Sequence, residues 1–573
     1  MQHLSKFRSI CGSILVLTFF VHVTLAGGTS STLKRPHIIF ILADDMGWTD
    51  VSFHGSDQIP TPNIDALAYN GVILNRHYTL PMCTPSRTAL MTGRYPIRFG
   101  MQGFPLRAGE ARSIPLNVTL MPKHLKKLGY DTNLIGKWHL GYFTKEHTPS
   151  YRGFDHFYGY YSGFITYFSH LIKEPFVEDP TKAFTGYDLH RDQGTSFRVP
   201  FDSGYFTELI TKEAEDVIKK NGNKKPLFLE ISHLAPHAGG VEDPLEVPDL
   251  SETNRTFSYV KDLNRRKYAG MMKALDESVG RVVKALKDNQ MLENSIIVFM
   301  ADNGAPTFGL YSNTGSNYPL RGIKNTLFEG AVRSAACMFS PLIQSSSRLS
   351  EQPLHLVDWL PTIYSVAGGD IADLGEIDGL DQWSALSSGS ESPRKSMLVN
   401  INEADRVEGA IIGKHKLIKG ASSATDGFYG EIGNDPSYPF YRIEDALSSD
   451  AGSAIRKLRG FDSVSKSEVQ LLRKNATVNC GKRIRTSCSE ICLFDIESDP
   501  CETENLAKQY PEIVAKLESY IDKYRVHLVN QKPPHVDLCA DPKSFNGTFL
   551  PWKVDPGEPS RITSDGCRIP VYE

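Results

Sequence analysis

HIIFILADD, residues 37–45, sets an unbroken apolar run, rich in β-branched residues, directly against a pair of carboxylates. A strand with one wet face alternates apolar and polar positions. A run without alternation is the pattern of a strand buried on both faces. Two further runs share that character, LFLEIS (227–232) and SIIVFMA (295–301). Between them Met272, Leu275, Val279, Val282 and Leu286 recur at helical spacing, which predicts a helix with one apolar stripe. A further helix is expected around LHLVDWLPTIYSVAG (354–368). Buried strands alternating with helices predict an α/β fold with a large, mostly parallel or mixed central sheet.

The pattern changes after residue 385. LSSGSESPRKS (386–396) reads as a linker by composition. Beyond it MLVNIN, the hairpin-like GAIIGKHKLIKG, ICLFDI and a helix near 510–525 predict a smaller α+β domain with antiparallel strands over 397–573. The larger domain then spans 33–385. No internal repeat is present.

The chain has 573 residues, more than one ordinary core accommodates. Its net charge of −3, without a Lys/Arg-rich block, excludes a nucleic-acid binder. Lys6 and Arg8 precede an apolar run from Ile10 to Leu25, and Thr24 and Ala26 supply the small residues of a cleavage site. The run is short and interrupted by Cys11, Gly12, Ser13 and His22, so residues 1–26 read as a signal peptide rather than an anchor. No later stretch reaches the roughly 18 apolar residues of a membrane span. A protein of the secretory pathway, lysosomal or secreted, is expected. Glycosylation sequons at Asn117, Asn254, Asn475 and Asn546 agree with this. So do Cys480, Cys488, Cys492, Cys501, Cys539 and Cys567, which an oxidising compartment would pair, with the connectivity open. Cys337, in SAACMFS, reads as a buried free thiol. Cys83, alone among small, polar and basic residues in PMCTPSRTALMTGR (81–94), has no such explanation.

In open α/β sheets, ligands bind beyond the carboxyl ends of the strands. Asp44 and Asp45 follow the first run, and Asp302 and Asn303 follow SIIVFMA. His233 and His237 follow LFLEIS, and Gly136-Lys137-Trp138-His139 follow the candidate strand TNLI. One aspartate after a strand is often a helix N-cap. Carboxylates from two strand ends together repel unless a cation neutralises them, and an oxygen-only set suits Ca²⁺ or Mg²⁺ rather than Zn²⁺. Lys137 and His139, two apart, face one side of an extended segment. With His237 and Lys324 they would surround a tetrahedral oxyanion, phosphate or sulfate.

At these residues the chain resembles the type I sulfatases, arylsulfatase B-like members in particular. C-T-P-S-R at Cys83–Arg87, continuing to T-G-R at Thr92–Arg94, is similar to the family signature, and GKWHLG (136–141) to its second one. ADDMGW (43–48), ADNG (301–304), LRGIKNTLFEGAVR (320–333) and HLVDWLPT (355–362) resemble further family blocks, and the resemblance runs from about 36 to about 510. It implies an alkaline-phosphatase-like fold. It also implies that Cys83 is oxidised to formylglycine by a formylglycine-generating enzyme during synthesis. The hydrated aldehyde would attack sulfur with one hydroxyl and release sulfate through the other.

By the same resemblance Asp44, Asp45, Asp302, Asn303 and the formylglycine made from Cys83 hold one Ca²⁺. Asp302 accepts the nucleophile's proton, Arg87 steadies the diol, and Lys137 and Lys324 bind the sulfate oxygens. His139 takes a proton in sulfate release, and His237, rather than His233, protonates the leaving oxygen. HLAPHAGG departs from the family pattern, in which Pro closely follows the matching histidine. The substrate implied is a sulfated hexosamine of glycosaminoglycans, with a small sulfated compound such as a glucosinolate as the rival. A phosphodiesterase or phosphonate hydrolase of the same superfamily, and a non-catalytic secreted glycoprotein, are the alternative functions. The aromatics of RGFDHFYGYYSGFITYFSH (152–170) are expected mainly in the core.

Overall fold

The unalternating runs become the centre of a sheet. The computed structural model describes residues 35–573 apart from 177–178, 180, 195, 241, 310–312, 421–424, 432, 434, 459–462, 482–485, 489 and 573, so the expected signal peptide lies outside the described residues. In chain order the strands of the large sheet are His37–Ala43 (β1), Val72–Leu74 (β2), Asp131–Lys137 (β3), His156–Tyr160 (β4), His190–Gln193 (β5), Leu227–Ser232 (β6), Ser295–Ala301 (β7), Ala336–Phe339 (β8) and Arg348–Ser350 (β9). Their spatial order is β9-β2-β8-β7-β1-β6-β3-β4-β5. The inner five, β7-β1-β6-β3-β4, are mutually parallel, and antiparallel pairs β7–β8 and β4–β5 flank them. The sheet is therefore mixed with a parallel centre, and β1, β6 and β7 are buried at every position.

Helices cover both faces, as doubly buried strands require. The helices are Pro62–Asn70 (α1), Cys83–Thr92 (α2), Phe206–Asn221 (α3), Leu263–Asp288 (α4), Trp359–Val366 (α5), Lys466–Ala476 (α6) and Pro511–Arg525 (α7), besides shorter ones. α4 carries the expected stripe, with Met272, Leu275, Val279, Val282 and Leu286 all buried, and Asp262 caps it by accepting from the Arg265 N–H. α3 packs beside it through the Thr211 hydroxyl, 2.6 Å from Ser278 Oγ. On the opposite side Phe40 of β1 meets Trp359 of α5 edge to face at 5.7 Å.

Ser396–Asn402 (β10), Val407–Ile412 (β11), His415–Lys419 (β12) and Ile491–Asp495 (β13) form a second, wholly antiparallel sheet in that order, β11–β12 being the expected hairpin. α7 packs on it with Val514, Leu517 and Ile521 buried, spaced three and four apart. The six late cysteines pair as Cys480–Cys501, Cys488–Cys492 and Cys539–Cys567, while Cys337 in β8 is buried and free. Arg35–Glu573 is one compact unit. Within the stretch read as a linker, Ser392 and Arg394 are buried, and the Arg394 Nε–H donates to Asp358 Oδ2 at 2.6 Å. Among the described residues no helix is long and apolar enough to cross a membrane. Asn117, Asn475 and Asn546 are exposed; Asn254 is half-buried in the short helix Leu250–Thr256, its Oδ1 accepting from Arg266.

Candidate active site

Register brings the functional residues to one edge. Ala43 pairs with Ala301, Leu42 with Ser232, and Gly136 with Ser232, so β1, β7, β6 and β3 end level. The ladder continues past the strand ends: Asp302 N–H donates to the Ala43 carbonyl at 3.0 Å, and His233 N–H to Leu42 at 2.9 Å. Gly136 makes this approach possible. Its φ is +103°, and a Cβ there would stand 2.0 Å from the Ser232 carbonyl oxygen.

Asp44, Asp45, Asp302 and Asn303 converge. Asp45 sits at φ +62°, a turn that swings the chain away after Asp44. The Asp45 N–H donates to Asp302 Oδ1 at 3.3 Å, and Asn303 Nδ2 to Asp45 Oδ1 at 2.7 Å. Asp44, Cys83 and Asp302 each present a ligand atom within 4.8 Å of the others, and so do Asp44, Asp45 and His237. Asp44 Oδ1 and Asn303 Oδ1 are buried acceptors without a hydrogen-bond donor. Two orphaned oxygens among buried carboxylates match the needs of a hard cation.

Cys83 is the first residue of α2, a helix buried along its length that ends at Gly93 in the left-handed conformation. Sequence reasoning missed this helix. Its marks were Pro85 in the first turn and Gly93 just past the end. The helix explains the Cys83–Arg87 spacing, because residues four apart share a face. Arg87 Nη2 donates to Asp302 Oδ2 at 2.9 Å, and Nη1 to Ser232 Oγ. Ser232 is a second residue the sequence reading passed over, a polar side chain at the end of an apolar run.

Three cations face the three carboxylates. Lys137 Nζ lies 2.6 Å from Asp44 Oδ2, and Lys324 Nζ bonds Asp45 Oδ1 and stands 3.1 Å from Cys83 Sγ. Burial opposes ionisation of Asp44 and Asp45, yet Lys137 beside the first, Lys324 beside the second and His237 beside both hold them below the ordinary carboxylate value. Asp302 is pushed the other way, by burial and then by Asp44. Burial raises the Cys83 thiol to about 11. With carboxylates and fixed cations in balance, a divalent ion makes the site positive, and an oxyanion then neutralises it.

The strand expected to carry both Lys137 and His139 ends at Lys137, and His139 takes φ +56°, so the two do not lie on one extended face. His139 Nε2 donates to the Leu106 carbonyl at 2.8 Å, leaving Nδ1 a buried acceptor without a partner. Burial, then Lys137, holds the ring far below its usual pKa and hence neutral. His237 donates through Nδ1 to the Ala238 carbonyl at 2.6 Å and presents Nε2 to Asp45 Oδ2 at 3.4 Å. His233 is turned away, its Nε2 3.4 Å from Ser278 Oγ on α4. Of the aromatic segment, Phe157, Tyr158, Tyr160, Tyr161 and Tyr167 are buried, Phe164 lies parallel to His237 at 5.8 Å, and Phe168 is exposed.

A family model described as Sulfatase matches residues 36–369. The chain is 35% identical over 532 residues to arylsulfatase J of Mus musculus, covering 92% of this chain and 81% of that one. It is 29% identical over 405 residues to N-acetylgalactosamine-6-sulfatase of Homo sapiens, covering 68% and 72%. Among solved structures, Ps i-CgsB in complex with k-i-k-neocarrahexaose superposes with TM-score 0.65 at 26% identity, over 87% of this chain and 94% of that one.

Proposed function

The chain belongs to the sulfatase family and hydrolyses sulfate esters; from that premise we propose that Cys83 is oxidised to formylglycine and that Asp44, Asp45, Asp302 and Asn303 hold one Ca²⁺ beside it. The observation that carries this reading is the placement of Cys83, buried at the head of α2 within 4.8 Å of ligand oxygens of Asp44 and Asp302 and 3.1 Å from Lys324 Nζ. Formylglycine, hydrated, supplies a nucleophilic hydroxyl and a second one for sulfate release, and the cation supplies charge opposite the carboxylates and the sulfate.

The chain's own residues do the rest. Lys137 and Lys324 hold the sulfate oxygens among buried groups, where fixed charge acts most strongly. Asp302, its carboxylate made more basic by burial and by Asp44, accepts the nucleophile's proton. Arg87, anchored on Asp302 and Ser232, keeps the head of α2 in place. His139 is neutral, and its bare Nδ1 takes a proton as sulfate departs. As the imidazolium, with its Nδ1–H on the Ala238 carbonyl and Nε2–H beside Asp45, His237 gives the Nε2 proton to the oxygen of the leaving alcohol.

The substrate is a sulfated hexosamine of the glycosaminoglycan kind. Support for the hexosamine comes from the N-acetylgalactosamine-6-sulfatase among the relatives, and support for a sugar at the site from the k-i-k-neocarrahexaose in the structural neighbour at 26% identity. The enzyme works in the secretory pathway, in lysosomes or after secretion. Mass spectrometry of the peptide spanning Cys83 should show the aldehyde or its hydrate; an active preparation carrying only the thiol would overturn the reading. A panel of sulfated hexosamines, aryl sulfates and glucosinolates should place the first class ahead in kcat/KM, and a preference for glucosinolates would reassign the substrate.

A further inference from the structure

Lys324 sits on a loop whose two ends are both held by the C-terminal third of the chain. At one end Arg321 is fully buried. Its Nε donates to the Asp426 carbonyl at 2.6 Å, Nη1 to the Glu502 carbonyl at 2.7 Å, and Nη2 to the Thr486 carbonyl at 2.6 Å and Asp426 Oδ2 at 3.1 Å. The guanidinium also lies over the Phe328 ring at 4.5 Å. At the other end the Glu329 N–H donates to Glu502 Oε2 at 2.7 Å. Lys416 Nζ, on β12, lies 2.8 Å from Glu329 and 2.9 Å from Glu502. Tyr78 donates to Glu329 at 3.1 Å, and Arg333 approaches it at 3.7 Å. One residue, Glu502, touches both ends, through its carbonyl and its carboxylate. It follows Cys501, whose disulfide to Cys480 closes the segment containing Thr486.

Six ionic side chains buried together are not a cheap way to fill a core. Apolar packing of equal volume is commonly as stable or more so, and what an ionic set adds is a single geometry. Geometry is what Lys324 needs. Its flexible stem delivers the ammonium to Asp45 and Cys83 only if its Cα is fixed, and an error of about 1 Å at a reacting centre can cost up to about a hundredfold in rate.

We propose that Arg321, Glu329, Lys416 and Glu502 are positioning residues that clamp the Lys324 loop at the sulfate site, and that the Cys480–Cys501 disulfide is part of the clamp because it holds Thr486 and Glu502. This rests on Lys324 binding sulfate. None of the four touches substrate; the C-terminal third thus contributes to catalysis through the placement of a lysine supplied by the larger sheet's loops.

The test is competitive inhibition by inorganic sulfate, measured against an aryl sulfate on full-length variants with formylglycine content and melting temperature recorded. Glu502→Ala and Cys480→Ser/Cys501→Ser should weaken sulfate inhibition about tenfold or more. Glu502→Gln, which keeps the acceptor for the Glu329 N–H, should recover most of the loss. Val514→Ala, a core cut on α7 remote from the loop, should lower the melting temperature and leave sulfate inhibition unchanged. Folded, formylglycine-bearing Glu502→Ala enzyme inhibited like the wild type overturns the clamp. Lys324→Ala separates the two readings: if it too binds sulfate normally, the role of Lys324 fails, whereas if it alone loses sulfate, only the clamp fails.

Discussion

His139 and His237 enter the cluster with opposite hydrogen bonding. His139 spends its Nε2 proton on a carbonyl and offers a bare Nδ1; His237 spends its Nδ1 proton and offers Nε2 beside Asp45. General acid catalysis is worth roughly 10²–10⁴-fold, and most where the leaving group is poor. His237→Ala should therefore be far more harmful with a sugar sulfate than with an aryl sulfate whose phenolate leaves unaided, and His139→Ala equally harmful with both. Rates on the two substrates check this, and equal leaving-group dependence in both variants contradicts the roles. The carboxylates give a second expectation. Asp44→Asn removes one charge from the set and leaves Lys137 without its partner, so metal analysis of the purified variant should show loss of bound Ca²⁺ together with activity. Stoichiometric Zn²⁺ in the wild type would count against the assignment.

At the scale of elements, the decisive contact is between β3 and β6. Gly136→Ala asks for a methyl where the Ser232 carbonyl oxygen already stands, at a φ that L residues avoid. Overpacking and strain together should cost about 2–4 kcal/mol. The displaced β6 would withdraw Ser232 from Arg87, so residual folded enzyme should be less active per mole of formylglycine; denaturant unfolding and specific activity report the two effects. The strands themselves were legible, since a doubly buried strand declares itself by lacking alternation. α2 was not. CTPSRTALMT has neither an apolar stripe nor a side-chain cap, and what makes it helical is burial on every side.

At the scale of the molecule, the stretch 386–396 shows what composition leaves out. It is rich in Ser and reads as a spacer, yet Arg394 within it is 3% exposed and forks onto Asp358 at the head of α5. Breaking a buried pair by removing one partner strands the other charge, at about 3–5 kcal/mol. Arg394→Met should lower stability by that amount, read by thermal or denaturant unfolding, with the site's metal content unchanged in the protein that remains folded. An effect below about 1 kcal/mol would mean that water reaches Asp358.

The sequence by itself determined which strands lie at the centre, because the burial of a strand is written in its own residues. It also determined that each central strand ends in chemistry, in Asp44 and Asp45, Lys137, His237, Asp302 and Asn303, and it singled out Cys83 by the motif around it. Only the tertiary structure decided the order β7-β1-β6-β3, which sets those ends level. It set His237 beside Asp45 and turned His233 toward Ser278 of α4. It brought Glu502 to Glu329 and Arg321 across more than 170 residues of chain. Local pattern records what a residue must be buried against in kind, apolar or polar. Which partner it meets is settled by how whole elements pack, and that information is spread over the chain.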